Sequence, residues 1–325
     1  MTARTLGALQ VAALLVSASY GIGFLFGSGE YALRYGMAGA IYGVATALGM
    51  MAMAAFAGRL WEAGRAVWDL LGDRCGSRVR RLVALLSMVW MAGVLAAQIY
   101  GAVAVVRLLG AGSVTAHTIA IVLIFTASRF ELRAASVLFA GCLAASALVL
   151  LFALRTSGGV ALYAASLPAF AAGPVMLGIL GVAALGSGAA VLRAMVSALQ
   201  ATGPRGVPAS PTLLAAIAMV VAVTLTATAL PIVDTMVSVN VVYIASVGVS
   251  LFGLLRGKDG PRVDETWSIA AGFSASVAVY VAVWLGQSIP NVELVVLLVG
   301  LAAAAGARAA LHRRHGDLGH RAAQR

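Results

Sequence analysis

The sequence predicts an all-α polytopic membrane protein of ten transmembrane helices. Three observations predict it. The 325 residues are 62% hydrophobic and only 10% charged, whereas soluble domains run at about 45–50% apolar and about 25% charged. The apolar residues fall into long charge-free runs. The 22 arginines and lysines gather in the short segments between those runs, as topology signals do.

The charge-free runs are 6–29, 35–58, 82–106, 108–128, 134–154, 156–192, 206–233, 235–255, 266–292 and 294–307. A helix crosses the hydrocarbon core with about 20 apolar residues, and the first nine runs meet that length. The last has 14 residues between Glu293 and Arg308, whose charged ends can snorkel to the interface. The 156–192 run exceeds one span, and Pro168 and Pro174 divide it into an external segment and a helix near 174–200. With a cytoplasmic N-terminus, 19 of the Arg and Lys residues fall on the cytoplasmic side and 3 (Arg34, Arg107 and Arg155) outside. That asymmetry orients the chain in the plasma membrane with both termini inside. One transmembrane domain over 1–311 is expected, with repeats at about 6–154 and 172–311 and a basic cytoplasmic tail at 312–325. The first run has no small-residue cleavage site leading into a polar chain, so no cleaved leader is expected. A β-barrel is excluded because the runs do not alternate polar and apolar residues.

The longest polar connection, 58–81, is expected to be a cytoplasmic interfacial helix or loop. Leu60, Trp61, Gly64, Val67, Trp68 and Leu71 recur at three-to-four spacing, the pattern of a helix lying in the interface with its tryptophans as anchors. A solvated loop is the alternative.

Catalytic and nucleic-acid classes find no support. There is no His-Glu-x-x-His, Gly-x-Ser-x-Gly or Gly-Lys-Ser/Thr motif, so neither an enzyme nor a resident cofactor is expected. The net charge of +11 is spread over loops, not gathered in one nucleic-acid-binding patch. Cys75 and Cys142 make neither a disulfide framework nor a zinc site. His312, His315 and His320 belong to the basic tail, and His117 stands alone.

Two spans carry unusual backbones. Span one, Leu15 to Glu30, holds Gly21, Gly23, Gly27 and Gly29 with Ser17, Ser19 and Ser28. Each glycine costs a helix about 1 kcal/mol against alanine. Backbone that leaves the helix inside a bilayer survives only where it lines a cavity or packs on protein. Close helix packing through small residues is the alternative. Span six, Gly173 to Gly188, is similarly rich, with Gly178 and Gly181 near its middle. In a ten-helix chain these are the first spans of two five-helix halves. Interrupted helices at corresponding positions point to an inverted repeat with a site at the repeat interface. Gly21, Gly23, Gly178 and Gly181 are therefore candidate solute-binding positions.

Four segments carry a family resemblance: span one; Ala66-Val-Trp-Asp-Leu-Leu-Gly-Asp-Arg-Cys-Gly-Ser-Arg-Val-Arg-Arg81; Leu95-Ala-Ala-Gln-Ile99; and Val191-Leu-Arg-Ala-Met-Val-Ser-Ala198, in which Leu192 replaces a glutamine. Together they resemble the sodium:solute symporters, closely over about 10–110 and loosely over 185–210. The resemblance implies the LeuT-type fold, a five-plus-five inverted repeat with helices 1 and 6 broken, here in a minimal ten-helix version. It implies sodium-coupled uptake of a small organic solute by alternating access. It places sodium-coordinating carbonyls at Ser17 and Tyr20 and a solute-facing position at Ser19. The eighth-helix partners of the ion fall at Thr235 and Ser238 in Asp234-Thr-Met-Val-Ser238, where Asp234 stands for the family's first serine, or at Ser246 beside Ala245.

Asp234 has two readings: a solvated loop acid after Pro231, or a buried acid that carries a proton in place of sodium. Glu30 either faces an outer vestibule or sits in water. Gln98, a candidate solute ligand, lies on span three with Ser87, Trp90 and Tyr100, which could line a solute path. The charge-poor site favours a neutral or zwitterionic solute. The expected partners are that solute and the lipid bilayer, with no nucleic acid. A non-transporting sensor or assembly module on the same core is the second function class.

Overall fold

The computed structural model of the chain describes residues 66–130, helical positions at 134, 136, 137, 141 and 144, and residues 188–189, 191–202, 210–226, 232–255 and 265–323. Every regular element among them is a helix: α1 (Val67–Cys75), α2 (Ser77–Leu108), α3 (Ser113–Ser128), α4 (191–202), α5 (Pro211–Thr226), α6 (Ile232–Leu255), α7 (Thr266–Trp284) and α8 (Val292–Ala323). Among the described residues four stretches are long and apolar enough to cross a bilayer: 77–107, 236–254, 266–284 and 292–311. The apolar helices α3 and α5 are shorter, at 16 residues each. The protein is thus a helical membrane protein. Spans one, two and most of spans five and six lie outside the described residues.

The described residues fall into two compact units. One holds 91–130, the helical positions at 134, 136, 137, 141 and 144, and 188–189, 191–197, 210–226 and 232–236; the other holds 66–90, 198–202, 237–255 and 265–323. Helices α2, α4 and α6 each run from one unit into the other.

In the first unit, α2 ends at a glycine. Gly110 has φ 94°; its N–H bonds the Arg107 carbonyl at 2.9 Å, and the Ala111 N–H reaches the Val106 carbonyl at 3.4 Å. This pair of bonds is a Schellman closure, which requires a left-handed residue that glycine adopts without a Cβ penalty. The chain re-enters as α3 at Ser113, so the break predicted beside Arg107 is a true helix end. Helix α5 starts at Pro211, whose fixed φ and missing N–H suit a first helical position. The expected start of that span at 206 therefore moves to 211.

In the second unit, α1 meets α2 across Gly76. The Arg80 Nε donates to Asp69 Oδ1 at 2.7 Å, and a Cβ on Gly72 would stand 2.5 Å from the Arg80 Cβ. Of the expected interfacial helix, only the part from Val67 is described. There Trp68 is 8% exposed and Leu71 1%, so Trp68 packs on protein and does not anchor in lipid.

Helix α7 stops at Trp284, not at 292 as the charge-free run suggested. Gly286 (φ 94°) bonds the Val283 carbonyl at 2.9 Å and Gln287 bonds the Ala282 carbonyl at 3.0 Å, a second Schellman closure. Helix α8 begins at Val292 and is continuous to Ala323. Its apolar part, 292–311, has 20 residues, so the last crossing has full length and the basic tail is a helical extension of it.

Helices α6, α7 and α8 share a seam of mostly small residues spaced by four: Ala245, Val249 and Gly253 on α6; Ser268, Gly272 and Ser276 on α7; Val296, Gly300 and Ala304 on α8, with Arg308 one turn beyond. The Ser268 Oγ donates to the Ala304 carbonyl at 2.8 Å and the Ser276 Oγ to the Val296 carbonyl at 3.4 Å. Each turn down α7 matches a turn up α8, which fixes an antiparallel register. A Cβ on Gly272 would lie 2.6 Å from the Ala245 carbonyl oxygen. In lipid, close backbone approach and interhelical hydrogen bonds replace the hydrophobic effect as the source of helix association. The outer faces carry exposed Ile244, Trp267, Val281, Trp284, Leu294 and Leu298, apolar surface suited to acyl chains.

Candidate functional site

The apolar stretch of α2 is 72% buried, against 22%, 22% and 17% for those of α6, α7 and α8. A largely buried helix is where polar side chains can be held away from lipid, and α2 carries them. Ser87 and Trp90 sit one turn apart on α2, and Asn240 and Tyr243 one turn apart on α6. The Ser87 Oγ and the Tyr243 hydroxyl are 3.0 Å apart. The Trp90 Nε1–H donates to Asn240 Oδ1. The rings of Trp90 and Tyr243 stack, with centroids 5.2 Å apart and planes 22° apart. At about 1.5 Å per residue, all four residues lie within about 8 Å of the middle of their apolar stretches.

Polar groups at this depth are costly unless paired. Each hydroxyl, amide and indole named here has a partner, and the aromatic pair adds an offset-stacking contribution of about 0.5–1.5 kcal/mol. No charge stands on α2 between Leu82 and Val106 or on α6 between Met236 and Leu255. The seam therefore offers hydrogen bonds and aromatic faces without countercharge, which suits uncharged or internally neutralised groups.

Compared with known proteins, the chain matches no family model, and no curated protein or solved structure matches it either.

The predicted site residues divide as follows. Ser17, Ser19, Tyr20, Gly21, Gly23, Glu30, Gly178 and Gly181 lie outside the described residues. Asp234 and Thr235 are in the first turn of α6, so that helix begins before Asp234 instead of after it. Ser238 is half-buried beside Tyr280, whose hydroxyl is shut off from solvent without a well-formed hydrogen bond. Ser246 is fully buried; its hydroxyl donates to the Val242 carbonyl at 2.6 Å, and its Cα would lie 3.1 Å from a Cβ on Gly272. It therefore serves the α6–α7 contact. Gln98 is 1% exposed on α2. Ser87 and Trp90 join the polar seam, whereas Tyr100 is 46% exposed and faces outward. His117 bonds the Ser113 carbonyl of its own helix at 2.8 Å. Among the described residues no three His, Cys, Asp or Glu side chains cluster as metal ligands.

Asn240 and Tyr243 escaped sequence reasoning. Their signal was present: an amide and a phenol three residues apart, on one face of a run free of charge.

Proposed function

We propose that the protein is a secondary active transporter that couples uptake of a small organic solute to sodium by alternating access. On this reading the ten-span chain forms a LeuT-type five-plus-five bundle, with spans one and six broken at their glycines. Sodium is held by the Ser17 and Tyr20 carbonyls with help from the eighth span, and the solute by Ser19, Gly21, Gly23, Gln98, Gly178 and Gly181. Asp234 is the alternative carrier, of a proton. The observation that supports the reading best is the uncharged seam of Ser87, Trp90, Asn240 and Tyr243 at mid-depth on spans three and eight. Polar side chains at that depth are costly to keep, and lining a solute pathway is one use that repays the cost. Sodium has to bind the two states of the carrier unequally to drive flux.

The test is uptake into proteoliposomes of labelled neutral and zwitterionic solutes, amino acids and sugars among them, with and without an inward sodium gradient. The expected result is gradient-dependent uptake that falls at least tenfold in Ser19→Leu, which fills the proposed solute position, and in Asn240→Leu. Uptake indifferent to sodium, to protons and to both substitutions defeats the coupling.

A second reading is supported by the mutual pairing of the seam: Trp90 with Asn240 and Ser87 with Tyr243. Paired polar groups also glue helices together, as in a non-transporting sensor or assembly module. Saturable solute binding with no flux selects it.

A further inference from the structure

One buried charged group lies outside the seam. Glu265, the residue before α7, has a side chain only 6% exposed, and its Oε1 lies 2.8 Å from the Nε of Arg308 on α8. Its Oε2 accepts from the Ser250 hydroxyl of α6 at 3.0 Å. The Arg308 Nη1 donates to the Val249 carbonyl of α6 at 3.2 Å. The guanidinium turns its Nη1–Nη2 edge to Gly253, where any Cβ would collide with it. Three helices thus meet at one ion pair, at the end of the small-residue seam.

We propose that Glu265 and Arg308 are a conformational latch that fastens the end of α6 to the α7–α8 hairpin and opens without unfolding it. The physical basis is a near-balance. A buried ion pair gains Coulomb energy and hydrogen bonds but loses the hydration of both charges, and the two terms are of similar size. Both partners can regain water at short range. Glu265 precedes the first turn of α7, and Arg308 stands three residues before the end of its apolar stretch at Leu311. Its side chain is already 27% exposed, so its stem can snorkel outward. The hairpin keeps its own ladder, Ser268 to Ala304 and Ser276 to Val296, which does not involve the pair. Opening therefore frees α6 beyond Ala245 and leaves α7 against α8. Gly253 is the positioning residue: its missing side chain is what admits the guanidinium. The latch does not depend on the transport reading.

Hydrogen–deuterium exchange of the full chain in lipid nanodiscs tests it. Gly253→Ala keeps both charges and displaces the guanidinium. It should raise exchange at least fivefold in 249–255 while 270–284 and 294–304 stay at the wild-type rate. Glu265→Gln should do the same. The double variant Glu265→Leu/Arg308→Met removes the hydration that favours the open state, so its exchange in 249–255 should fall below wild type. A pair that only stabilises the fold gives the opposite sign in the double variant, which overturns the proposal. So does unchanged exchange in Gly253→Ala, or an equal rise throughout α6, α7 and α8. If Glu265→Gln does not fold, Gly253→Ala and the double variant decide between these outcomes.

Discussion

Gly300 of α8 faces Gly272 of α7 so closely that a Cβ on Gly300 would stand 3.1 Å from the Gly272 carbonyl oxygen. The same Cβ would lie 2.6 Å from the Ala245 Cβ of α6 and would overlap the Ser276 hydroxyl. None of these neighbours is the free end of a flexible chain. Gly300→Val should therefore destabilise the α6–α7–α8 stack by about 1–3 kcal/mol, the usual cost of overpacking. Gly306, on the same helix, has nothing within 4 Å of its added Cβ. Gly306→Ala should be neutral or stabilising by up to about 1 kcal/mol. Thermal denaturation in detergent, followed by size-exclusion chromatography, measures both; equal effects at the two glycines contradict the packing.

The polar seam gives a second prediction. Asn240→Leu removes the acceptor of the Trp90 indole, and Tyr243→Phe removes the partner of the Ser87 hydroxyl. Hydrogen bonds between membrane helices contribute about 0.6 kcal/mol on average and up to about 1.7 kcal/mol. A double-mutant cycle of Trp90→Phe with Asn240→Leu should show coupling in that range. Trp90→Phe with Ser246→Ala should show none, because Ser246 bonds within its own helix. Chemical denaturation in mixed micelles reads the cycle.

Much of this architecture is legible from charge alone. Apolar runs must be helical in lipid because an unpaired backbone group has no water to turn to, so α2, α6, α7 and α8 follow from hydropathy. Helix ends are less legible, since charges mark where a span must stop and not where it does. The 266–292 run holds Gly286, Pro290 and Asn291, and the stop is written there in backbone conformation, not in polarity. The α7–α8 register is also present as Ser268, Gly272 and Ser276 set against Val296, Gly300 and Ala304. Small residues at a spacing of four show a contact face without naming the partner. The Glu265–Arg308 pair depends on that partner, so no local pattern announces it. In the seam, Ser87 and Trp90 stand out as polar residues in an apolar run, but their pairing with Asn240 and Tyr243 requires two helices 150 or more residues apart in sequence to meet.

The α7–α8 turn can be probed directly. Gly286 sits at φ 94° and Asn291 at φ 48°. An alanine at Gly286 would bear the left-handed penalty of about 1–2 kcal/mol, whereas Asn291→Gly removes a milder strain at the cost of a freer unfolded chain. Gly286→Ala should lower the denaturation midpoint clearly, and Asn291→Gly should move it little. Equal and large losses at both positions would show that side-chain contacts, and not backbone conformation, hold the turn.

Arg193 on α4 donates through Nε to the Ser128 carbonyl at the last residue of α3. The last carbonyls of a helix have no partner within it, and a cation there also meets the negative end of the helix dipole. The charged hydrogen bond should contribute about 1.5–3 kcal/mol. Arg193→Met should lose most of that stability and fray the last turn of α3, seen as faster amide exchange from Ile124 to Ser128. Arg193→Lys should recover part of it, because an ammonium supplies the charge without the planar reach of the guanidinium. Nearby, a Cβ on Gly188 would stand 3.1 Å from Ile124 Cδ1, so Gly188→Leu should disturb the same end of α3 by crowding it. If Arg193→Met leaves exchange at Ile124–Ser128 unchanged, the cap carries no stability and the position tolerates any residue that fills its volume.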